Sequence, residues 1–397
     1  VVDFTLSEEH LALQRMVKDF AQKEVRPVVR ELDRLPDPRN AFPWDAVNKG
    51  AELGFHKMSI PEAYGGLGLD CLSACIVAEE MAAVDAGFAT TFGACCLALG
   101  PIVNRATEEQ RERFLRPICA DDAGAYLTAF AMTEPDCGPS AGIDPNPEYG
   151  LKTTAILQDD HYVVNGTKCF CTNGGLARLY TVIVRTDPSK GGAGAIGALL
   201  VTPDTPGFSI GKIEDKMGQR LSQQSELIFE DARVARENML VPFGPGEQRL
   251  NTVEMLPLVG ALGVGVARAA YEAAREYAKI RKVSGTPIIE YQAIATMLAD
   301  MSMQVELARL IVWKAAWYSD THERPSPRLS AMAKIAGTDA AMRVSTDAVQ
   351  VFGGTGYMRE TGIEKFMRDA KLTQIYEVPN QIHRLHITAL EQWGLGG

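Results

Sequence analysis

Few side chains in this 397-residue sequence stand at spacings that do chemistry unaided. His383-x-x-His386 brings two imidazoles together, but no Cys or Glu ligand accompanies them as zinc would require, so they read as helix-surface histidines. The eight cysteines, at 71, 75, 95, 96, 119, 137, 169 and 171, are unevenly spaced and apart from the histidines, which argues against a disulfide framework and for a reducing compartment. Asn251 and Glu254, three apart, share a helix face and offer one carboxylate. Glu377, after Tyr376, can take up a proton, yet taken alone it reads as a solvated loop residue. No glycine fingerprint follows a strand and no GxxxxGK[ST] loop occurs, so a dinucleotide held by those devices is unsupported. Gly353-Gly354, taken alone, terminates a helix.

The elements that must position these groups follow from periodicity. Between Leu6 and Arg34 the residues Leu11, Leu13, Met16, Val17, Phe20, Val25 and Val28 recur at helical spacing, behind an N-cap at Ser7 and acidic Glu8 and Glu9. The Ala- and Cys-rich stretch 71–99 lacks proline, and Thr107 with Gln110 forms a capping-box pattern, so the first ~120 residues are expected to be helical. Short β-branched and aromatic segments then lie between Gly, Pro, Asn and Asp: 161–165, 179–184, 195–201, 208–210 and 225–229. After Pro242-Phe-Gly-Pro-Gly246 helical patterns resume over 248–281, 288–318, 327–352 and 380–393. Gly260, Gly263 and Gly265 inside the first of these predict close backbone packing, because each otherwise costs a helix about 1 kcal/mol relative to alanine. The expected fold is α+β: helices over 1–122, a β-barrel-like domain over 123–242 and a four-helix bundle over 243–397, with a ligand cleft where they meet.

Composition narrows the partners. Forty Lys plus Arg against 50 Asp plus Glu give a net charge of −10, without the basic stripe that nucleic acid requires. With 46% hydrophobic and 23% charged residues the chain has an ordinary globular composition. No apolar run is read as reaching the ~18 residues of a membrane span, and Val1-Val2-Asp3-Phe4 is not a targeting segment. The expectation is a cytoplasmic protein or, with a processed N-terminus, one of the mitochondrial matrix.

Pro61-Glu-Ala-Tyr-Gly-Gly-Leu-Gly68, Met132-Thr-Glu-Pro135 with Gly138, Asn165-Gly-Thr-Lys168 with Thr172-Asn-Gly174, and Met217-Gly-Gln-Arg220 through Phe229-Glu-Asp231 occur in that order. They are followed by Arg281, Tyr291-Gln292, Gln350-Val-Phe-Gly-Gly-Thr-Gly356, Met367-Arg-Asp-Ala370 and Ile375-Tyr-Glu377. Over nearly its whole length the chain resembles the acyl-CoA dehydrogenases, which are FAD-dependent flavoproteins. The resemblance implies that Phe130, Met132, Thr133, Gly138 and Thr172 contact the flavin and that Phe170, where many relatives have Trp, packs on its ring. Asn380 and Gln381 belong to the implied flavin-contacting segment, while Arg281, Gln292, Gln350, Gly353 and Gly354 reach FAD in a neighbouring subunit. A homotetramer built as a dimer of dimers is implied, with electron-transferring flavoprotein as electron acceptor and no metal. Glu377 holds the place of the base, and Ser140, Asn251, Glu254, Tyr376 and Val378 that of the acyl-CoA contacts.

Four departures from the family pattern stand out. Val378-Pro379 replaces Gly-Thr after the base, which restricts the loop that presents it. Cys137-Gly138-Pro139-Ser140 replaces a small-Gly-Ser-Asp pattern. Asn251-Thr-Val-Glu254 replaces Asp-x-x-Arg, losing a cation and making Glu254 the reserve candidate for base. Phe88-Ala-Thr-Thr91 lacks the Arg that binds a distal carboxylate, which weakens a glutaryl-like reading. The expected reaction is α,β-dehydrogenation of an acyl-CoA to a 2-enoyl-CoA. The rivals are a repurposed flavin enzyme of the same fold (lyase, monooxygenase or enoyl-CoA reductase) and a noncatalytic CoA- or partner-binding paralogue.

Overall fold

The computed structural model describes residues 5–120, 124–138, 146, 148–240 and 252–392. Helix α1 (Glu8–Phe20) starts at Ser7, whose hydroxyl accepts from the His10 N–H at 3.1 Å, and one π-helical stretch (Ala21–Val25) carries the apolar face into α2 (Arg26–Leu32). After α3 (Trp44–Glu52), the continuous stretch read over 71–99 is split into α4 (Cys71–Ala82) and α5 (Ala86–Arg105). The break belongs to Asp85, whose carboxylate accepts from the Phe88 N–H at 2.7 Å and begins a new helix. Helix α5 is long and apolar enough to cross a membrane by length and composition, which corrects the reading that no run reaches that length. Here it is a core helix, with Phe88, Phe92 and Leu99 fully buried. In α6 (Glu108–Ala120) the capping box forms reciprocally, Thr107 N–H to Gln110 Oε1 at 3.0 Å and Gln110 N–H to Thr107 Oγ1 at 3.2 Å.

The middle of the chain is an eight-stranded sheet: β1 (Thr128–Ala131), β2 (Thr154–Gln158), β3 (His161–Thr172), β4 (Leu179–Arg185), β5 (Ile196–Val201), β6 (Phe208–Ile213), β7 (Gln224–Ala235) and β8 (Met239–Leu240). The order is β6-β7-β3-β2-β4-β5-β8, with β1 pairing parallel to β4. Strands β1 and β2 were not read from the sequence, being short and bounded by their own register only once β4 and β3 lie beside them. The pairing of β3 with β7 is interrupted between Lys168 and Cys171, a bulge that carries Phe170 at φ +55°.

Helix α7 (Thr252–Ile280) leads through the hairpin β9 (Lys282–Val283) and β10 (Thr286–Pro287) to α8 (Gln292–Thr321), α9 (Pro327–Phe352), α10 (Ile363–Thr373) and α11 (Asn380–Gln392). The glycines of α7 act as expected. A Cβ on Gly263 would lie 2.5 Å from the Gly337 carbonyl on α9, and one on Gly265 would lie 2.3 Å from the Glu79 carbonyl on α4. The helices of both blocks thus share one core, in which Phe20, Phe88 and Phe92 join Leu262, Ala267 and Val344. A second cluster, with Leu99, Ile102 and Leu115 against Ile183 and Leu200, seats the sheet on α5 and α6.

Candidate active site

Where sheet, α5, α7 and the end of α10 converge lies a cavity of about 650 Å³. One wall is the sheet: Phe130, Met132, Thr133, Gly138, Phe170 and Thr172. This wall is set by a buried ion pair, Lys168 Nζ to Glu134 Oε1 at 2.7 Å. The same ammonium donates to the Met132 carbonyl at 3.1 Å, and Glu134 accepts from the backbone N–H of Lys152 and Thr153 at 2.6 and 2.9 Å. These bonds keep the Glu134 carboxyl below its usual range despite its burial, and they tie the end of β1 to β3. The bulge in β3 then turns the Phe170 ring outward, 58% exposed in a chain whose other phenylalanines are mostly core. Gln224 on β7 donates from Nε2 to Thr172 Oγ1 at 3.1 Å, which leaves that hydroxyl's own proton to point elsewhere.

The opposite wall is helical and mostly apolar: Gly93, Ala94 and Leu97 from α5, Leu258 and Leu262 from α7. Between the walls stands the segment after α10, with Tyr376, Glu377 and Val378 all at the cavity. Burial pushes the Glu377 carboxyl up to about 7, against the opposing pull of the Lys334 ammonium. Glu377 and Val378 both have left-handed backbones, φ +49° and +72°. Burial likewise pushes the Tyr376 phenol up to about 12. A half-desolvated carboxylate facing an apolar slot is suited to removing a weakly acidic proton.

The comparisons with known proteins speak to the whole chain. The model described as "Acyl-CoA dehydrogenase, N-terminal domain" matches residues 7–122, the middle-domain model 129–232 and the C-terminal-domain model 256–390. Probable acyl-CoA dehydrogenase YngJ of Bacillus subtilis is 40% identical over 389 residues, covering 97% of this chain and 98% of that protein. The chain belongs to the acyl-CoA dehydrogenase family. Butyryl-CoA dehydrogenase from Megasphaera elsdenii superposes with a TM-score of 0.90 at 38% identity, over 98% of this chain and all of that one. A chain from structural work on the electron transferring flavoprotein of Acidaminococcus fermentans superposes with a TM-score of 0.87 at 39% identity, covering 98% of both.

In this acyl-CoA dehydrogenase the residues expected at the cofactor divide into three groups. Phe130, Met132, Thr133, Gly138, Phe170 and Thr172 meet at the cavity with Tyr376, Glu377 and Val378. Arg281, Gln292, Gln350, Gly353 and Gly354 lie exposed at another end of the helical bundle, where Tyr277 stacks on Phe352 with ring centroids 4.0 Å apart. Asn380 differs from expectation: it is buried, and its amide donates to Thr338 Oγ1 and Asp339 Oδ1, both at 2.8 Å, rather than facing the cavity. Gln381 is exposed beside it and is not among the lining residues. Ser140 and Asn251 lie outside the described residues, as does the side chain of Glu254, whose backbone sits in the first turn of α7 beside the cavity-lining Met255. Sequence reasoning missed Lys216, which lines the cavity, and Lys334 behind the Glu377 loop. A lone cation in the Ala-rich run 331–341 was the available signal for the second.

Proposed function

We propose that this acyl-CoA dehydrogenase binds FAD against its sheet wall and converts an acyl-CoA thioester to the 2-enoyl-CoA, with Glu377 taking the proton from the α-carbon. The residues present fit a flavin. An isoalloxazine needs a flat apolar face and donors at its polar edge, and the outward Phe170 ring beside the Thr133 and Thr172 hydroxyls offers both. Tyr376 also lines the cavity. When bound, the flavin supplies a two-electron acceptor for the hydride that leaves the β-carbon. The protein's own task is the α-proton: Glu377 receives it, and the apolar α5 and α7 wall excludes the water that would otherwise solvate the carboxylate.

The observation that carries this reading is the Glu377 carboxyl at the cavity, held at about 7 by burial. Replacing Glu377 by Gln is expected to leave flavin bound while slowing its anaerobic bleaching by an acyl-CoA at least 100-fold, within the range general bases contribute (about 10²–10⁴). Full-speed bleaching in that variant would overturn the assignment, and Glu254→Gln is the matching control. A panel of straight, branched, cyclic and aromatic acyl-CoAs identifies the acyl group; bleaching by none of them would favour the repurposed or noncatalytic rivals.

Exposed Ile280, Val283, Tyr357 and Met358 surround Arg281 and Gly353, and Met303, Leu307, Leu310 and Trp317 form an exposed apolar stripe on α8. Such surface supports a homotetramer in which these ends complete a neighbour's FAD site. The likeness to the Acidaminococcus fermentans chain supports electron-transferring flavoprotein as the acceptor. A cytoplasmic location is in keeping with the bacterial relatives.

A further inference from the structure

The segment that presents Glu377 cannot hold its shape by itself. Two successive residues with side chains adopt positive φ, and the second, Val378, is β-branched, for which φ +72° is a true outlier. Pro379 follows and supplies no N–H to help. The carbonyls of both strained residues are instead gripped from behind by buried side chains. His383 Nε2, on α11, donates to the Glu377 carbonyl at 2.7 Å. Lys334 Nζ, on α9 and fully buried, donates to the Val378 carbonyl at 3.0 Å and to Asn380 Oδ1 at 2.6 Å. Asn380 is itself fixed by Thr338 and Asp339, so the lysine is seated in a continuous network from α9 to α11.

We propose that Lys334 is a positioning residue for the base: its ammonium holds the Val378 carbonyl and so keeps the Glu377 carboxylate turned into the cavity beside a fixed positive charge. The inference rests on the reading of Glu377 as base. The geometry is supported by the electrostatics, since burial pulls the Lys334 ammonium down to about 8 while Glu377 and Asp339 oppose that fall and Arg384 adds to it. Among the described residues, the charged and titratable groups around the pair include Lys334 and Asp339 from α9, His383, Arg384 and His386 from α11 and Tyr376 from the loop itself, with Glu214, Asp215, Lys216, Arg368 and Lys371 further round the cavity. Burial pushes His383 down to about 4, so near neutral pH it is uncharged and Lys334 is the cation that acts on Glu377.

The test uses the flavin-loaded protein with Lys334→Met and Lys334→Gln. Lys334→Met removes both bond and charge. It is expected to slow flavin bleaching by saturating acyl-CoA about 10- to 100-fold, the penalty of a base displaced by about 1 Å. It is also expected to move the pH midpoint of bleaching upward by about one unit, because loss of a neighbouring cation raises a carboxyl pKa. Backbone amides over 380–383 should exchange with deuterium faster in apo- and holoprotein alike. Lys334→Gln keeps a donor without the charge, and should restore protection of those amides while leaving the midpoint raised. It is also the variant to read if Lys334→Met does not fold. A midpoint and a rate both unchanged in the variants overturn the proposal. Failure of the base assignment is read separately: Glu377→Gln that bleaches at full speed removes the base, and the exchange rates then still decide whether Lys334 holds the loop.

Discussion

Glu377 draws its chemistry from its surroundings. A glutamate at its ordinary acidity, about 4.3, is a poor match for a carbon acid, and burial moves this one up to about 7. With Glu377 as the proposed base the working form is the carboxylate, so the sign is fixed: bleaching at low substrate concentration should rise with pH and reach half its limit near 7. Two units lower, about 1% of the base is ionised and the rate should fall about 100-fold. Stopped-flow absorbance across pH 5–9 checks this, and a flat profile would remove Glu377 from the rate-determining proton transfer. From the sequence, Glu377 could be placed by its Ile-Tyr-Glu context but its acidity could not, since desolvation depends on Leu97, Leu258 and Leu262, residues from distant parts of the chain.

Two elements convert ordinary local structure into a site. The β3 bulge reverses one side chain of an alternating strand, sending Phe170 to the cavity while Cys169 and Cys171 stay buried. The loop after α10 does the same for Glu377, at the expense of a valine where relatives commonly have glycine. Val378→Gly should relieve more backbone strain than it adds to the unfolded chain's freedom, raising stability by about 1 kcal/mol. The expected accompaniment is faster exchange of the amides around 380, measurable beside a denaturant titration. Proline at 379 was legible as a restriction on this loop; the left-handed conformation that it follows was not, because φ at 378 is imposed by the carbonyl grips of Lys334 and His383. The glycines of α7 were the opposite case. Their packing role could be read directly, since a helix retains Gly260, Gly263 and Gly265 against propensity only where another backbone comes close.

At the scale of the whole molecule, the cavity exists because three parts of the chain are locked at one point. Asp85, which starts α5, pairs with Lys365 on α10, and Lys365 also pairs with Asp369. Asp369 accepts from the backbone N–H of Gln219, which comes from the sheet domain, and Thr90 Oγ1 on α5 donates to Gln219 Oε1 at 2.9 Å. Beside them a Cβ on Gly218 would lie 2.4 Å from the Arg368 backbone, so the sheet loop and α10 touch directly. All three charged groups are buried, at 1%, 8% and 2% exposure for Asp85, Lys365 and Asp369. Lys365→Met would strand two carboxylates away from water and should destabilise the protein by about 3–5 kcal/mol. Because the same junction sets the sheet wall against the Glu377 loop, the variant should also bind flavin more weakly; denaturant titration and flavin retention on gel filtration check the two effects.

The sequence alone determined the succession of helical block, β block and helical block and the family, because periodicity, caps and the ordered motifs are properties of neighbouring residues. Thr133, Phe170, Thr172 and Glu377, which it singled out in separate segments, meet at one cavity. Tertiary structure alone decided what those segments do to one another. Asn380 turned inward to Lys334 and Asp339 instead of outward, Gln224 claimed the Thr172 oxygen, and a lysine from α9 came to lie behind the Glu377 loop. Each of these is a hydrogen bond between groups over 40 positions apart or across a helix junction, and no local pattern encodes which buried donor will find which acceptor once water is excluded.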